Sequence, residues 1–218
     1  MNYRENDLTE GHDNDAKDGD GKSAGGGQTT TPAMDPQAIS RYIKAPGPAP
    51  VHRWDPPYCG EMDMRIARDG TWYHEGTPIR RPALVRLFAS VLKREGDRYF
   101  LVTPVEKVGI QVEDCPFVAG RAEISERDGD QVITLTLNTD EQLVVGQDHE
   151  IRVTETAGTG DHPQPHPVVT VRQGLEALLS RPVFYQLVDL AECREVDGRQ
   201  RLGVWSAGRF FELGTMPG

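Results

Sequence analysis

A polar turn interrupts the strand-like stretch YFLVTPVEKVGIQVEDCPF at residues 99–117. Pro104 lacks an amide hydrogen and does not fit a central strand, so the chain must turn or reach a sheet edge there. Thr103, Glu106 and Lys107 then stand at the end of a strand, where loops often carry binding or catalytic groups. We interpret these three side chains as lining a cleft. The alternative is a solvated turn with a surface ion pair worth about 0–1 kcal/mol.

A second polar group occupies WYHEGTPIRRP at residues 72–82. It contains Trp72 and His74, and it ends at a predicted helix start where Arg80 and the free amides of the first turn could hold an anion. Arg172 is predicted to occupy the equivalent place at a second helix start. Two arginines that approach one cleft would be bidentate donors for a phosphate or a carboxylate. The alternative is that Trp72 is a core aromatic residue with exposed polar neighbours.

The signals for catalysis are weaker. His74 and His149 are candidate general bases because an imidazole titrates near neutrality, and the alternative is that each is a structural group beside a strand. Ser206 lacks the Gly-x-Ser framework of a nucleophile elbow. The neighbours of Cys115 are acidic and apolar, so we expect a raised pKa and an inert thiol. The chain has no Gly-x-x-x-x-Gly-Lys-Ser/Thr loop and no Cys-x-x-Cys pair, which predicts no P-loop hydrolysis and no cofactor.

Two segments resemble metal sites only superficially. DNDAKDGDGKS at residues 13–23 lacks the acid spacing and the final glutamate of a calcium loop. His162 and His166 have the spacing of a helical metal pair, but the prolines between and beside them predict an extended loop. We therefore predict no metal site.

The charge and composition of the chain limit the kinds of molecule it is expected to bind. The 218-residue chain has a net charge of −10, and residues 1–35 hold eight acidic against three basic residues. This polar segment cannot bury enough apolar surface to order itself, so we predict that residues 1–45 are a disordered acidic tail. The rest has no basic run or stripe, which argues against binding duplex nucleic acid.

The sequence also bears on the compartment. No stretch approaches the roughly 18 apolar residues that would span a bilayer. The N-terminus lacks the apolar core of a signal peptide. The three cysteines are odd in number and far apart, as is usual for reduced thiols. We expect a cytoplasmic protein without a membrane span.

Local patterns predict the order of the elements. Alternating Met62, Met64 and Ile66, an Asp-Gly turn and Trp72 predict a hairpin, and a helix is predicted from Pro82 to just before Gly96. Two strands follow at about 98–103 and 108–113. A second Asp-Gly turn, at 128–129, precedes a strand with Ile133, Leu135 and Leu137 inward. Next, the pattern predicts a helix that has Leu175, Leu178 and Leu179 on one face and is split by Pro182. A third Asp-Gly turn, at 197–198, and two strands complete the chain.

The same succession of strands, helix and strands therefore occurs twice. DGTWYHEGTPI at 69–79 and DEQLVVGQDHEI at 140–151 even share a rough order of residues. We predict an α+β fold made of two similar subdomains, each an antiparallel sheet with a helix, at residues 46–120 and 121–218.

Several long motifs carry a resemblance to a known family. The resemblance rests on CGEMDMRIARDGTWYHEGTPIRR, RLFASVL, YFLVTPVEKVGIQVEDCPFVA, VRQGLEALLSRPVFYQLV and LGVWSAGRFFELG. Over residues 56–214 the chain resembles the bacterial family called domain of unknown function 1285. The resemblance implies a duplicated α+β core whose C-terminal half is loosely similar to a pleckstrin-homology domain. It also implies a cleft between the halves that accepts a nucleotide-like ligand in a signalling role. The acidic tail lies outside the resemblance.

Together these observations favour a non-catalytic protein that binds a small anionic, nucleotide-like ligand between the subdomains. One alternative is a hydrolase-type enzyme with Glu106 or a histidine as general base. Another is a protein-interaction module, since folds of the pleckstrin type often serve that purpose. The sequence does not identify a protein partner.

Overall fold

Two hydrogen-bonded sheets with the same strand order dominate the computed structural model, which describes residues 36–42, 48–156, 164–196 and 198–215. The predictions about disorder in residues 1–35 and 43–45, the calcium-like segment 13–23 and His162 fall outside the described residues. Residues 36–42, which the sequence analysis placed in the tail, form helix α1 (Pro36–Tyr42). It packs on the next helix with Ile39 fully buried, and that contact gives the segment an apolar anchor.

The first sheet has the order β3-β2-β1-β6-β5-β4. Its first and last strands, β1 and β6, pair in parallel at the centre, and all the other pairs are antiparallel. A short 3-10 turn (Val51–Arg53) precedes it, and helix α2 (Pro82–Ser90) connects its two halves. Its strands are β1 (Tyr58–Ile66), β2 (Trp72–His74), β3 (Thr77–Pro78), β4 (Leu92–Glu95), β5 (Arg98–Val102) and β6 (Lys107–Val112).

The second sheet has the order β10-β11-β12-β7-β8-β9, which is the first order read from the other edge. Again the first and last strands, β7 and β12, pair in parallel at the centre. The duplicated α+β architecture is confirmed, but each sheet is mixed rather than purely antiparallel. The likeness to a pleckstrin-homology domain stays a prediction. The strands are β7 (Phe117–Arg127), β8 (Asp130–Leu137), β9 (Gln142–Val144), β10 (Ile151–Thr156), β11 (Gln164–Arg172) and β12 (Leu175–Leu179).

Helix α3 (Arg181–Asp189) and a third, three-stranded sheet follow the second sheet. Ser206, which is fully buried, joins this sheet to the second one: its hydroxyl donates to the Val145 carbonyl at 2.7 Å and accepts from the Ile133 amide at 3.0 Å. Ser206 is therefore a buried structural group and not an exposed nucleophile. The third sheet contains β13 (Glu192–Val196), β14 (Arg199–Ser206) and β15 (Arg209–Thr215).

The topology corrects the predicted alignment of the two halves. Strands β2 and β3 correspond to β8 and β9, so the Asp69-Gly70 turn is equivalent to Asp128-Gly129 and not to the turn at Asp140. Arg172 ends β11, whose counterpart is β5. It is therefore not equivalent to Arg80, which lies between β3 and α2.

The first predicted helix is too long. Helix α2 ends at Ser90, and Leu92 already belongs to β4, which pairs with β5. Gly96, with a φ of +60°, forms the turn of that hairpin instead of ending the helix. A buried strand and a buried helical face are both apolar, so the pattern did not separate them over this short distance.

The second predicted helix is wrong over residues 173–180. Gln173 and Gly174 have positive φ angles and form a tight turn, and β12 then buries Leu175, Ala177 and Leu179 at the two-residue period of a strand. Helix α3 begins only after Ser180, so Pro182 lies in its first turn and does not split it.

A single continuous core joins both halves and the third sheet. The predicted inward residues of the first and second sheets are buried, which confirms the strand assignments of Met62, Met64, Ile66, Ile133, Leu135 and Leu137. None of the helices in the described part of the chain is long and apolar enough to cross a membrane.

The equivalent turns at Gly70 and Gly129 give a matched test of the junction between the halves. Both glycines have positive φ, +82° and +86°, so an alanine at either position costs about 1 kcal/mol in backbone strain. At Gly70 the added Cβ would also lie 2.5 Å from Asn138 Nδ2, whereas at Gly129 it meets nothing within 4 Å. Asn138 donates to the Gly70 carbonyl and accepts from the Val118 amide, each at 3.1 Å.

We therefore expect Gly70→Ala to lower the free energy of unfolding by about 2–3 kcal/mol and Gly129→Ala by about 1 kcal/mol. Urea unfolding followed by tryptophan fluorescence measures both. Equal losses for the two variants would show that the Asn138 contact contributes nothing to the junction.

Candidate functional site

The predicted group around Trp72 divides into a core residue and a surface pair. Trp72 is 1% exposed and stacks on Phe88 with 6.2 Å between ring centroids, so it is a core aromatic and not a ligand contact. His74 and Arg80 are exposed and line a shallow surface pocket of about 440 Å³ together with Arg81 and Leu84. Arg172 does not line that pocket.

The turn after β5 is a closed polar structure. The Thr103 hydroxyl accepts from the amides of Val105 and Glu106, at 3.4 and 3.2 Å, and its side chain is 1% exposed. Burial raises the pKa of Glu106. Among the described residues, no hydrogen bond links Glu106 to His74 or His149.

Lys107 pairs with Glu95 on the neighbouring hairpin, at 2.9 Å, and not with Glu106. Its ammonium group also lies 5.1 Å from the centre of the Phe100 ring. Hydrogen bonds from Lys93 and Lys107 lower the pKa of Glu95. The ion pair predicted within the turn is therefore an ion pair between strands of the first sheet.

His149 and Arg172 have structural partners. His149 Nδ1 lies 3.0 Å from the Thr170 carbonyl and donates to it. Arg172 donates to Glu141 at 2.9 Å and to the Ala89 carbonyl at 2.8 Å. Ala89 lies in α2, so Arg172 holds the first half to the second. Arg80 and Arg172 do not line one pocket in the structure: Arg80 lines the surface pocket beside His74, whereas Arg172 ends a strand and bonds to Glu141 and Ala89.

A different cavity lies where the two halves meet, and we call it the junction cleft. Its volume is about 470 Å³, within the range of about 300–1,000 Å³ that is usual for small-molecule sites. The first half contributes Arg68, from the β1–β2 turn, and Asp114, from the segment that connects β6 to β7. The second half contributes the start of β11, the end of β12 and the first turns of α3, namely Gln164, Pro165, His166, Pro167, Leu178, Leu179, Ser180, Arg181, Phe184 and Tyr185.

The strand pairing explains why this place is open. Residues 164–167 of β11 pair with β10 on one side, and β12 accompanies β11 only from Val168 onward. Pro165 and Pro167 have no amide hydrogen to satisfy, which suits a strand segment with a single neighbour. Helix α3 starts where β12 ends, and its first residues line the space beside residues 164–167, where β11 has no neighbouring strand on that side.

A compact polar cluster lies on the wall of the cleft. His166 Nε2 is 2.8 Å from Asp114 Oδ1, and Arg68 Nε is 3.1 Å from Asp114 Oδ2. The Cys115 thiol lies 3.6 Å from Asp114 Oδ1. Burial, with a further contribution from the Asp114 charge, raises the pKa of Cys115 to about 12, as the sequence analysis expected. The cysteine is therefore a poor nucleophile in this state.

The start of α3 contributes positive charge to the lining of the cleft. Arg181 occupies the first turn of α3, where backbone N–H groups lack acceptors within the helix and the helix dipole is positive. Ser180 is the N-cap residue, but its buried hydroxyl makes no hydrogen bond within the described structure. Tyr185 is 60% exposed and places an aromatic surface beside this end of the cleft. The donors that an anion could meet here are the exposed Arg181 guanidinium and the N–H groups of the first turn.

Sequence reasoning missed most of this site. It singled out His166 and Cys115 but assigned both to inert roles, and it did not select Arg68, Asp114, Ser180 or Arg181. The Ser-Arg-Pro sequence at 180–182 is a recognisable helix start and would have placed an N-terminus there. No local signal places that helix start and residue 114 in one cavity, because their proximity depends on the pairing of β7 with β12.

Comparison with known proteins agrees with the two-part fold. Residues 49–115 match the family model "Domain of unknown function (DUF1285), N-terminal domain", and residues 116–213 match "Protein of unknown function (DUF1285), C-terminal domain". No curated protein matches the chain. A DUF1285 family protein from Silicibacter pomeroyi DSS-3, known from a crystal structure, is 52% identical over 84% of this chain and 97% of its own, with a TM-score of 0.73. Another from Shewanella baltica OS155 is 27% identical over 59% of this chain and 91% of its own, with a TM-score of 0.46.

The role of Arg172 is testable by comparison with Arg80. We expect Arg172→Ala to lower the free energy of unfolding by about 1–3 kcal/mol, because two hydrogen bonds with a charged donor are lost from a side chain that is 17% exposed. Arg80→Ala, which removes an exposed side chain, is expected to change it by less than about 0.5 kcal/mol. Urea unfolding measures both variants. Equal stability of the two would contradict the bridging role of Arg172.

Proposed function

The chain belongs to the DUF1285 family, whose descriptions name no activity, so we propose a function from the junction cleft itself: a non-catalytic binding protein for a small anionic molecule. The observation that carries the proposal is the first turn of α3, which borders the cleft with the exposed Arg181 and follows Ser180, whose buried hydroxyl makes no hydrogen bond among the described residues. The site differs from the predicted one in its residues but keeps its position between the two halves.

The charges of the cleft support an anionic ligand. Arg181 supplies a cationic side chain that has no acidic partner among the described residues, and the helix dipole adds a fixed partial positive charge. Arg68 also lines the cleft, but its charge is paired with Asp114. Asp114 is the opposing acid, but Arg68 and His166 both contact its carboxylate. A phosphate or carboxylate near Ser180 would therefore meet donors on the α3 side, while the acidic charge on the other wall is largely compensated.

The shape of the cleft supports a ligand with both a flat apolar part and an anionic part. Phe184 and Tyr185 project from α3 one turn beyond Arg181. An aromatic ring beside an arginine can stack with a nucleobase, while the arginine pairs with phosphate. A mononucleotide combines these two parts, and the nucleotide-like ligand of the sequence analysis is therefore our first candidate. A signalling role belongs to the same proposal.

Cytoplasmic location is also part of the proposal. It is supported by Cys59, Cys115 and Cys193, which are free thiols in the structure. Reduced cysteines are the rule in that compartment.

A ligand screen by thermal unfolding tests the proposal. The panel contains nucleoside mono-, di- and triphosphates, cyclic nucleotides, inorganic phosphate and a dicarboxylate. A ligand at 100 times its Kd adds about 2.7 kcal/mol to the free energy of unfolding, which raises the Tm of a domain of this size by about 5–10 °C. A shift with phosphate and nucleotides alike would indicate an anion site, and a shift with nucleotides alone would indicate that the base is also bound.

Variants then locate the bound molecule. We expect Arg181→Gln to weaken binding by about 10-fold or more, because hydrogen bonds to charged groups contribute about 1.5–3 kcal/mol. Arg80→Gln removes an arginine from the other pocket and should leave the affinity unchanged. The proposal fails if no compound shifts the Tm, or if Arg80→Gln rather than Arg181→Gln abolishes the shift.

A further inference from the structure

Three potential metal ligands of different kinds meet on the wall of the junction cleft. A carboxylate oxygen of Asp114, the sulfur of Cys115 and a ring nitrogen of His166 lie within 4.8 Å of one another. We propose that these three side chains bind a divalent transition-metal ion, with zinc as the first candidate. The sequence analysis predicted no metal site because it paired His166 with His162. The fold instead brings His166 to Asp114 and Cys115, about 50 residues earlier in the chain.

Two of the three donor distances can be compared with those of a tetrahedral site, and the third, from sulfur to nitrogen, is at most 4.8 Å. With Zn–O and Zn–N distances of about 2.0 Å and a Zn–S distance of about 2.3 Å, tetrahedral angles separate sulfur from oxygen by about 3.5 Å and nitrogen from oxygen by about 3.3 Å. The Cys115 sulfur lies 3.6 Å from Asp114 Oδ1, as the geometry requires. His166 Nε2 lies 2.8 Å from the same oxygen. The imidazole must therefore retreat by about 0.5 Å to admit the ion.

The ligand set selects the class of metal. A thiolate and an imidazole favour zinc, cobalt and related transition ions, whereas calcium and magnesium prefer oxygen ligands alone. Three protein ligands leave one tetrahedral position free. Asp114 and His166 both line the cleft, so that position is available to water or to a bound anion.

The surroundings of Asp114 suit a metal ligand, because one of its carboxylate oxygens makes no hydrogen bond among the described residues. Its side chain is 11% exposed, and Oδ2 accepts no well-formed hydrogen bond in the described structure. Arg68 Nε lies 3.1 Å from Oδ2, close enough for charge attraction, and would orient the carboxylate from behind. On binding, the S–H bond of Cys115 breaks, the sulfur forms a bond to the ion, and the proton passes to the buffer.

The site would also connect the two halves of the chain. Asp114 and Cys115 close the segment matched by the N-terminal family model, and His166 belongs to the segment matched by the C-terminal one. An ion bound by all three residues would link the two halves directly, in addition to the hydrogen bonds within each sheet. This inference does not depend on the proposed anionic ligand, since either could bind without the other.

Cobalt titration of the full chain tests the site directly. The protein is first freed of metal with a chelator and kept reduced, in a buffer without phosphate or nucleotide. We expect one equivalent of Co²⁺ to bind and to produce thiolate-to-cobalt charge-transfer absorption with the intense visible bands of a tetrahedral site. Zinc should displace the cobalt and abolish this spectrum.

The other two cysteines supply matched controls. Cys115→Ser should abolish the charge-transfer absorption, whereas Cys59→Ser and Cys193→Ser, which change exposed thiols, should leave the spectrum and the affinity unchanged. His166→Gln should weaken binding by about 100-fold or more, since loss of a direct ligand costs at least as much as loss of an outer partner. Circular dichroism verifies that each variant is folded. If Cys115→Ser does not fold, the His166→Gln variant and the two control cysteines decide.

Several results would overturn the proposal. They are the absence of stoichiometric binding, binding without a thiolate band, persistence of the band in folded Cys115→Ser, and its loss in Cys59→Ser or Cys193→Ser. Unchanged affinity in folded His166→Gln would overturn it as well. In that case the Asp114–His166 contact would be only a hydrogen-bonded ion pair.

Discussion

The parallel pairing of the first and last strand in each sheet determines where everything else in this fold must lie. Ile66 of β1 pairs with Val112 of β6, so the β1–β2 turn that carries Arg68 is held beside the segment that leaves β6. In the second sheet, Ala119 of β7 pairs with Leu179 of β12, and the Ser180 amide donates to the Ala119 carbonyl at 3.0 Å. The connection from β6 to β7 is short. The turn, the connection and the start of α3 are therefore forced into one neighbourhood, and the junction cleft is the space among them.

Away from the cleft, polar contacts link the two halves at the border of a continuous apolar core. Three side chains donate hydrogen bonds to backbone carbonyls of the other half. Arg172 donates to Ala89 in α2, Asn138 donates to Gly70, and Arg94 donates to Gly174 at 3.2 Å. These contacts use backbone carbonyls as acceptors, so they depend on the position of a whole turn and not on a single side chain. Hydrogen bonds are directional, whereas apolar burial is not. The polar contacts therefore set the relative orientation of the two sheets, and the core supplies most of the cohesion.

Local signals predicted the parts of the fold that are local. The Asp-Gly turns at 69–70 and 128–129 and the alternation of Ile133, Leu135 and Leu137 specify hairpins through neighbours in sequence. The helices were less well placed, because an apolar run such as Leu175–Leu179 suits a buried strand as well as a helix. The candidate site was the least predictable. His166 and Asp114 meet only because two parallel pairings, each closed over a long loop, place them there, and no local pattern encodes such pairings.

One part of the cleft lining attracts a cation and another part attracts an anion, so a cation and an anion could bind in the cleft together. On the β11 side, Asp114 is a shielded acid with a histidine and a thiol beside it, an arrangement that gains most from a cation. On the α3 side, Arg181 and the helix start gain most from an anion. A metal ion bound by Asp114, Cys115 and His166 would add positive charge to the lining of the cleft, and it would strengthen the attraction for an anion in that space. The arginine pair expected from the sequence, Arg80 and Arg172, offered a single kind of charge and one of its members is a structural bridge. The junction cleft has both kinds of charge. Two buried oxygens of its lining residues, Ser180 Oγ and Asp114 Oδ2, make no hydrogen bond among the described residues, although Arg68 Nε lies 3.1 Å from Oδ2.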